Sequence, residues 1–417
     1  MNATPDTTTD RPAGHHAEAA GDAPRTIRRV SGEELLTSTY PMHAYAFGST
    51  PPPTDQVERW RADLAPADDR VTLVAFTGEE PEATAVGISL RQNVRGKTLP
   101  MLGVSGVATH PMARRRGHIR AVLTQLHGEM RDSGHVVSTL YPFRQSFYER
   151  FGYVGFPKAR AIRLHARGLE RMLRADVPGE VTFHRIGEVF DDYYAATEAI
   201  LAERHGFSIF SKQSTQGLAK EDKHWAVFAR HEDEIVGTLL YRTNGFGAEL
   251  QGRHLLARNA VGRSLLLQWL ARHHDQYASF TFELPPDERP DLWYVDLDYA
   301  DETKVSGPLH SAPMGRILSV EGLAGIGAGP ARASVEVVDD PFVAGTWTLT
   351  GVGGALEVQP GGTPTATLTP HGLAALVYGV LDPAELSLQG YGTVDADTAA
   401  ALRTLFPPAM PYLHAAF

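Results

Sequence analysis

The spacing of apolar and polar positions changes period several times along the 417 residues, and each change predicts an element. Residues 26–30 (TIRRV) read as a strand, and Ser31 with Glu34 is spaced as a capping box ahead of a helix running toward Phe47. Pro51, Pro52 and Pro53 stop that helix, and a second is expected over 56–64. Three strand-like runs follow: VTLVAF from Val71, AVGISLRQNV from Ala85 and MLGVSGVATH from Met101. ARRRGHIRAVLTQLHGEM then sets Ile119, Val122, Leu123, Leu126 and Met130 at helical spacing, so that one face packs on a sheet. A buried strand over 136–140 and a helix over 146–150 complete a mixed α/β unit.

The same order of elements recurs about 150 residues later. VTFHRIGEVFDDYY repeats the opening strand and helix, WAVFARHEDEIVGTLLYR repeats the hairpin, and SLLLQWLARHHDQYASFTFELPP repeats helix then strand. The pattern points to a duplicated α/β unit. From Gly315 the texture changes, because ASVEVVD, GTWTLTG, ALEVQ and TATLT alternate apolar with polar residues and read as antiparallel strands with one buried face. With helices expected over 373–379 and 396–406, this third segment is α+β.

Composition narrows the chemistry. Hydrophobic residues make up 42% and charged residues 21%, which excludes a wholly disordered chain. The 39 Lys+Arg against 49 Asp+Glu give a net −10, which argues against a nucleic-acid or anionic-membrane binder yet leaves room for one local basic loop. With no cysteine, thiolate catalysis, zinc-thiolate sites and disulfides are excluded. The opening MNATPDTTTDRPAGHHAEAAGDAPR has no apolar stretch behind a basic start, and no apolar run reaches about 18 residues. A cytoplasmic protein with a disordered tail over 1–25 and no membrane contact is therefore expected. His15-His16 and His273-His274 are adjacent pairs that do not share a helix face as i and i+4 ligands would, so no metal is expected.

The most specific feature is VATHPMARRRGHIR, a strand leading through a basic, glycine-containing turn into the amphipathic helix. A helix N-terminus presents unpaired N–H groups and the positive end of the helix dipole, so this turn suits a pyrophosphate, with Arg115, Arg116 and Arg120 adding charge and Gly117 allowing close approach. ARRRGHI resembles the R-x-x-G-x-G/A acyl-CoA motif of the GNAT superfamily of N-acetyltransferases, with Arg114 and Gly117 at the first fixed positions and Ile119 departing from the last. That departure, the downstream SFYERFGY and the three-part layout resemble the Eis (enhanced intracellular survival) acetyltransferases.

The resemblance implies two tandem acetyltransferase folds, the second degenerate, followed by a sterol-carrier-protein-like α+β domain. The expected boundaries are 26–166 for the catalytic unit, 167–310 for the degenerate one and 311–417 for the third. It implies acetyl-CoA as co-substrate, with Val107, Ala108 and Thr109 as the splayed strand that pairs with the pantetheine arm and Arg115, Arg116, Gly117, His118, Ile119 and Arg120 around the pyrophosphate. Tyr148 would be the general acid, and the terminal carboxylate of Phe417 the general base, with Glu149 as an alternative base. It also implies a homo-oligomer, a hexamer in this family, and an amine acceptor, either a small molecule or a lysine-containing peptide. The acidic positions that family members use for aminoglycosides correspond to Ser49 and Ala416, which leaves Asp298, Asp301 and Glu302 as possible substitutes. In the second unit ARNAVG replaces the basic loop, and Asp291 falls near the place of Tyr148. The competing reading is a lipid or apolar-ligand carrier in which strands over 335–368 line a cavity.

Overall fold

The computed structural model describes residues 25–48, 55–62, 64, 69–305 and 311–417; the expected disordered tail, apart from Arg25, and the proline run at 51–53 lie outside them. The first unit begins with β1 (Arg25–Val30) and the short helices α1 (Leu35–Ser38) and α2 (Tyr40–Phe47), followed by α3 (Gln56–Ala62). The expected capping box does not form. Ser31 makes no side-chain cap, and Glu34 instead accepts from Arg28 at 2.9 Å. A guanidinium offers a charged partner that a backbone N–H cannot match.

The antiparallel strands β2 (Arg70–Thr77), β3 (Glu80–Val94) and β4 (Lys97–Thr109) follow as the alternation predicts. Helix α4 (His118–Asp132) buries Val122, Leu123, Leu126 and Met130, the face that its spacing marked, against this sheet. Next come β5 (Val137–Leu140), α5 (Gln145–Tyr148) and β6 (Val154–Gly155). The second unit carries β7 (Arg160–His165), β8 (Glu180–Arg185), α6 (Phe190–Glu203), β9 (Ser208–Phe210), α7 (Lys212–Glu221), β10 (Trp225–His231), β11 (Glu234–Thr243), β12 (Leu250–Ala257), α8 (Ala260–Ala271), β13 (Ser279–Leu284) and β14 (Tyr299–Asp301). The third unit carries β15 (Met314–Ile317), β16 (Arg332–Val337), β17 (Gly345–Val352), β18 (Ala355–Pro360), β19 (Ala366–Leu368), α9 (Pro370–Tyr378), β20 (Gly392–Val394) and α10 (Ala396–Leu405).

Sheet membership crosses the boundaries expected from the sequence. The first sheet runs β1-β2-β3-β4-β5-β15-β6, so a strand from the start of the third segment fills the gap between β5 and β6, and β9 of the second unit pairs with β3. In exchange β7, which precedes residue 167, sits in the second sheet, ordered β14-β7-β13-β12-β11-β10-β8. The third sheet, β18-β17-β16-β19-β20, is not wholly antiparallel, because β16 and β19 pair in parallel. Alternation along a strand reports which face is buried and carries no information on direction.

The third unit packs into the first. Val335, Leu349, Leu356, Leu373 and Leu376 share one buried core with Leu90, Met101 and Val137. The apolar face that the carrier reading assigned to a ligand cavity is thus occupied by side chains of the protein itself.

Candidate functional site

Strand β4 organises the site. Its residues Met101 to Val104 pair in parallel with β5 from Val137 to Leu140, and there the pairing stops. Beyond that point β4 runs on to Thr109, still held on its other side by β3, so the backbone of Val107, Ala108 and Thr109 has a free edge on the β5 side. A register shift between Thr84 and Val86 marks a bulge, where Gly106 takes φ +57. Its carbonyl accepts from His43 Nε2 at 2.8 Å, and a Cβ on Gly106 would stand 2.7 Å from that imidazole. Burial lowers the His43 pKa, which keeps the ring neutral. His43 was not marked by the sequence, since a contact across 63 positions leaves no local pattern.

At the end of β4 the chain turns through His110 and a short 3-10 segment, Pro111–Ala113, into the basic loop. Arg115 has φ +67 and Gly117, the N-cap of α4, has φ +83 with no side-chain cap. The first-turn N–H groups of α4 are therefore left for a ligand. Among the described residues no carboxylate lies within 4.0 Å of Arg114, Arg115 or Arg120, whereas Arg116 lies 3.6 Å from Glu82. Glu82 also lies 2.8 Å from the buried His118 Nε2, misaligned for a hydrogen bond, and accepts from Thr77 at 2.6 Å. His118 is thus packed under the loop with Glu82. Three guanidinium groups without a carboxylate partner among the described residues, around an open glycine, suit a polyphosphate, and none of the described residues approaches within 4 Å of a Cβ placed on Gly117.

Tyr148 closes α5 with its ring buried among Phe143, Phe147 and Tyr153, at centroid distances of 5.8, 5.0 and 6.3 Å. Val107, Ile119 and Tyr148 all belong to the apolar core of the first unit, so the splayed strand, the head of α4 and Tyr148 are built on one core. Two tyrosines in that cluster differ. The Tyr153 hydroxyl is used by Ser138 at 2.6 Å and His127 at 2.9 Å. The Tyr148 hydroxyl takes no partner among the described residues and is not one of the sealed polar atoms. Burial raises its pKa, so it holds its proton throughout the neutral range.

Phe417 reaches the same sheet from the far end of the chain. Its ring lies 5.7 Å from Tyr141 and 6.3 Å from Phe210, and a Cβ on Gly103 of β4 would stand 3.0 Å from it. Glu149 accepts the Tyr391 hydroxyl at 3.0 Å. Ser49 lies outside the described residues, while Asp301 and Glu302 are paired with Arg160 and Arg163 at 2.8 Å each. No group of His, Asp and Glu side chains suited to a metal occurs among the described residues, and no helix of theirs is long and apolar enough to cross a membrane.

The second unit shows why its own loop is degenerate. The α8 N-terminus is capped by Asn259, whose side chain accepts from Gly262 N–H at 2.9 Å. Arg258 beside it is paired with both Glu203 and Glu234 at 3.0 Å. Asp291 is bound to Arg289 at 2.6 Å. Where the first unit keeps donors and cations free, the second satisfies them internally.

Residues 26–155 match the acetyltransferase (GNAT) domain family, and residues 328–414 match the sterol carrier protein domain family. Over 126 residues the chain is 37% identical to the N-acetyltransferase Eis of Mycobacterium tuberculosis and of Mycobacterium bovis, a match that spans 29% of this chain and 30% of those relatives. Among solved structures, a GCN5-related N-acetyltransferase from Kribbella flavida shares the fold over 94% of this chain and 99% of its own, at TM-score 0.76 and 24% identity. Eis1 from Mycobacterium abscessus shares it over 94% and 100%, at TM-score 0.70 and 17% identity. In class, the chain joins a GNAT unit to a sterol carrier protein domain. Over its matched segment the first unit is similar to the Eis N-acetyltransferases, and the chain as a whole shares the fold of the two solved structures.

Proposed function

We propose that this protein is an acetyl-CoA-dependent N-acetyltransferase that acetylates a primary amine of a small molecule or a lysine-containing peptide by direct attack. The observation that carries the reading is the contrast between the two helix starts: open glycine and unpaired arginines at α4, capped and paired groups at α8. Acetyl-CoA supplies the acetyl thioester. Arg115, Arg120 and the α4 N–H groups hold its pyrophosphate, and the free edge of β4 at Val107, Ala108 and Thr109 pairs with its pantetheine arm.

A lysine-like amine with pKa near 10.4 needs roughly 4–5 kcal/mol to lose its proton at pH 7, so a base assists attack. The terminal carboxylate of Phe417 takes that proton. The amine nitrogen then bonds to the thioester carbon, the carbon–sulfur bond breaks as Tyr148 donates its hydroxyl proton to the departing thiolate, and the second proton that the nitrogen sheds on becoming an amide restores the Tyr148 hydroxyl. No covalent acyl-enzyme is needed, which accords with a chain without cysteine. The family resemblance adds a hexameric assembly. The test is steady-state release of free thiol from acetyl-CoA across a panel of amines, with product mass. One added acetyl on an amine supports the reading, and the absence of turnover with every amine removes it.

A further inference from the structure

The last residues of the chain run between the first and second units, and most of their polar contacts come from the second. Tyr412 N–H donates to His205 O at 3.0 Å, and the Tyr412 hydroxyl meets His254 Nδ1 of β12 at 2.8 Å. Burial drives the His254 pKa down to about 3, so the ring that pairs with this hydroxyl is neutral. The His414 ring stacks on Phe207 at 4.5 Å and 10°, and meets the His254 ring edge-on at 4.5 Å. Ala415 N–H donates to Ser208 Oγ at 3.2 Å. From the first unit, the Tyr141 hydroxyl donates to the carbonyls of Leu413 and Ala415 at 3.3 and 3.2 Å.

The bracket itself is anchored to the catalytic sheet. Strand β9 pairs with Leu90, Arg91 and Gln92 of β3, and Gly206 exchanges backbone and side-chain bonds with Asn93 and Gln92 at 2.7 and 2.9 Å. Gly206 has φ +78, and a Cβ there would stand 2.5 Å from the Tyr412 nitrogen. The close approach of the tail thus depends on a glycine of the second unit. Every residue from Tyr412 to Ala415 is fixed by a side chain or backbone group outside the tail, two positions before Phe417.

We infer that the second unit, chemically closed as an acetyltransferase, positions the terminal carboxylate of the first, with His254, Ser208 and Phe207 as the positioning residues. The inference rests on the reading of that carboxylate as the general base. A carboxylate on a loose tail would be correctly placed in only a fraction of encounters, so the contacts act on turnover and not on co-substrate affinity.

The experiment measures kcat and the KM for acetyl-CoA in the full-length chain carrying Tyr412→Phe, Ser208→Ala, His254→Leu or His254→Gln, beside a chain lacking Phe417. The expected result is a kcat lowered roughly tenfold or more by the first three changes, with an unchanged KM for acetyl-CoA. His254→Gln, which restores an acceptor, should recover most of the rate. Should His254→Leu fail to fold, Tyr412→Phe and Ser208→Ala still carry the test, since each removes a single oxygen. Wild-type kcat in these two, together with lost activity in the chain lacking Phe417, overturns the positioning role and leaves the base in place. Full activity without Phe417 overturns the base and the inference with it.

Discussion

The Glu149 carboxylate accepts the hydroxyl of Tyr391 at 3.0 Å, tying the residue beside Tyr148 to the third unit. The backbone carbonyl of Glu149 also meets His371 Nε2, and the His371 ring stacks on Tyr391 at 5.0 Å and 14°. Burial, together with this carboxylate, raises the Tyr391 pKa to about 12. The carboxylate is thus engaged by a phenol of the third unit. Glu149→Gln should therefore keep kcat within roughly threefold of wild type, because the amide oxygen still accepts from Tyr391. A loss of about a hundredfold, the scale of general-base removal, would shift the base from Phe417 to Glu149.

Tyr148→Phe removes only the hydroxyl from a ring that remains packed on Phe143 and Phe147. The expected outcome is a kcat lower by roughly a hundredfold, with acetyl-CoA affinity by calorimetry unchanged. Since burial raises the Tyr148 pKa, its phenol stays protonated, and the wild-type rate should show no loss from its ionisation between pH 7 and about 9. Full activity in the variant would end its assignment as the acid.

The two helix starts give a paired test of co-substrate binding. Arg115→Ala and Arg120→Ala each remove an unpaired cation and should raise the acetyl-CoA dissociation constant about tenfold, more at low salt than at high. Arg258→Ala, in the corresponding loop of the second unit, breaks pairs with Glu203 and Glu234 and should leave acetyl-CoA affinity unchanged. Equal losses in all three variants would place the pyrophosphate elsewhere.

Much of this arrangement is legible in the sequence. Helix α4 follows from the spacing of Val122, Leu123, Leu126 and Met130, and the open loop follows from a glycine among arginines. The exchange of β7 and β15 between sheets is not legible, because a four-residue strand such as Met314–Ile317 carries the same alternation whichever sheet receives it. Nor is the failed capping box at Ser31, since the competing partner of Glu34 is an arginine on the preceding strand. His43 and Tyr141 escaped for a related reason. Each reaches the site through contacts distant in sequence, His43 to Gly106 and Tyr141 to Ala415, and local pattern contains no trace of them.

The joint between first and third units contains a buried ion pair. Arg316 on β15 meets Asp340 at 2.8 Å with side-chain exposures of 2% and 5%, and its guanidinium lies 5.9 Å from the Tyr153 ring centroid and 5.3 Å from that of Phe342. Asp340→Ala would leave a buried, uncompensated guanidinium and should cost roughly 3–5 kcal/mol in stability, read as a lower midpoint in urea unfolding. A shift below about 1 kcal/mol would show that water or a rearranged partner replaces the carboxylate.

Acid sensitivity should come from histidines rather than carboxylates. Burial lowers the pKa of His205 to about 4 and of His254 to about 3, and it holds His127 and His414 well below the ordinary value. In the unfolded chain these rings titrate near 6.5, so below that pH the unfolded state takes up protons that the native state refuses. Their contribution to stability is complete above about pH 7 and is lost as pH falls through 6.5 toward 4, by roughly 1.4 kcal/mol per pH unit for each histidine. Thermal unfolding followed at pH 7.5, 6.5, 5.5 and 4.5 should show a midpoint that is level at first and then drops steeply. His254→Gln, which keeps an acceptor for Tyr412 and cannot titrate, should make that drop shallower by about one proton. A midpoint that stays level down to pH 4.5 would mean that these rings are protonated in the folded protein, contrary to their burial.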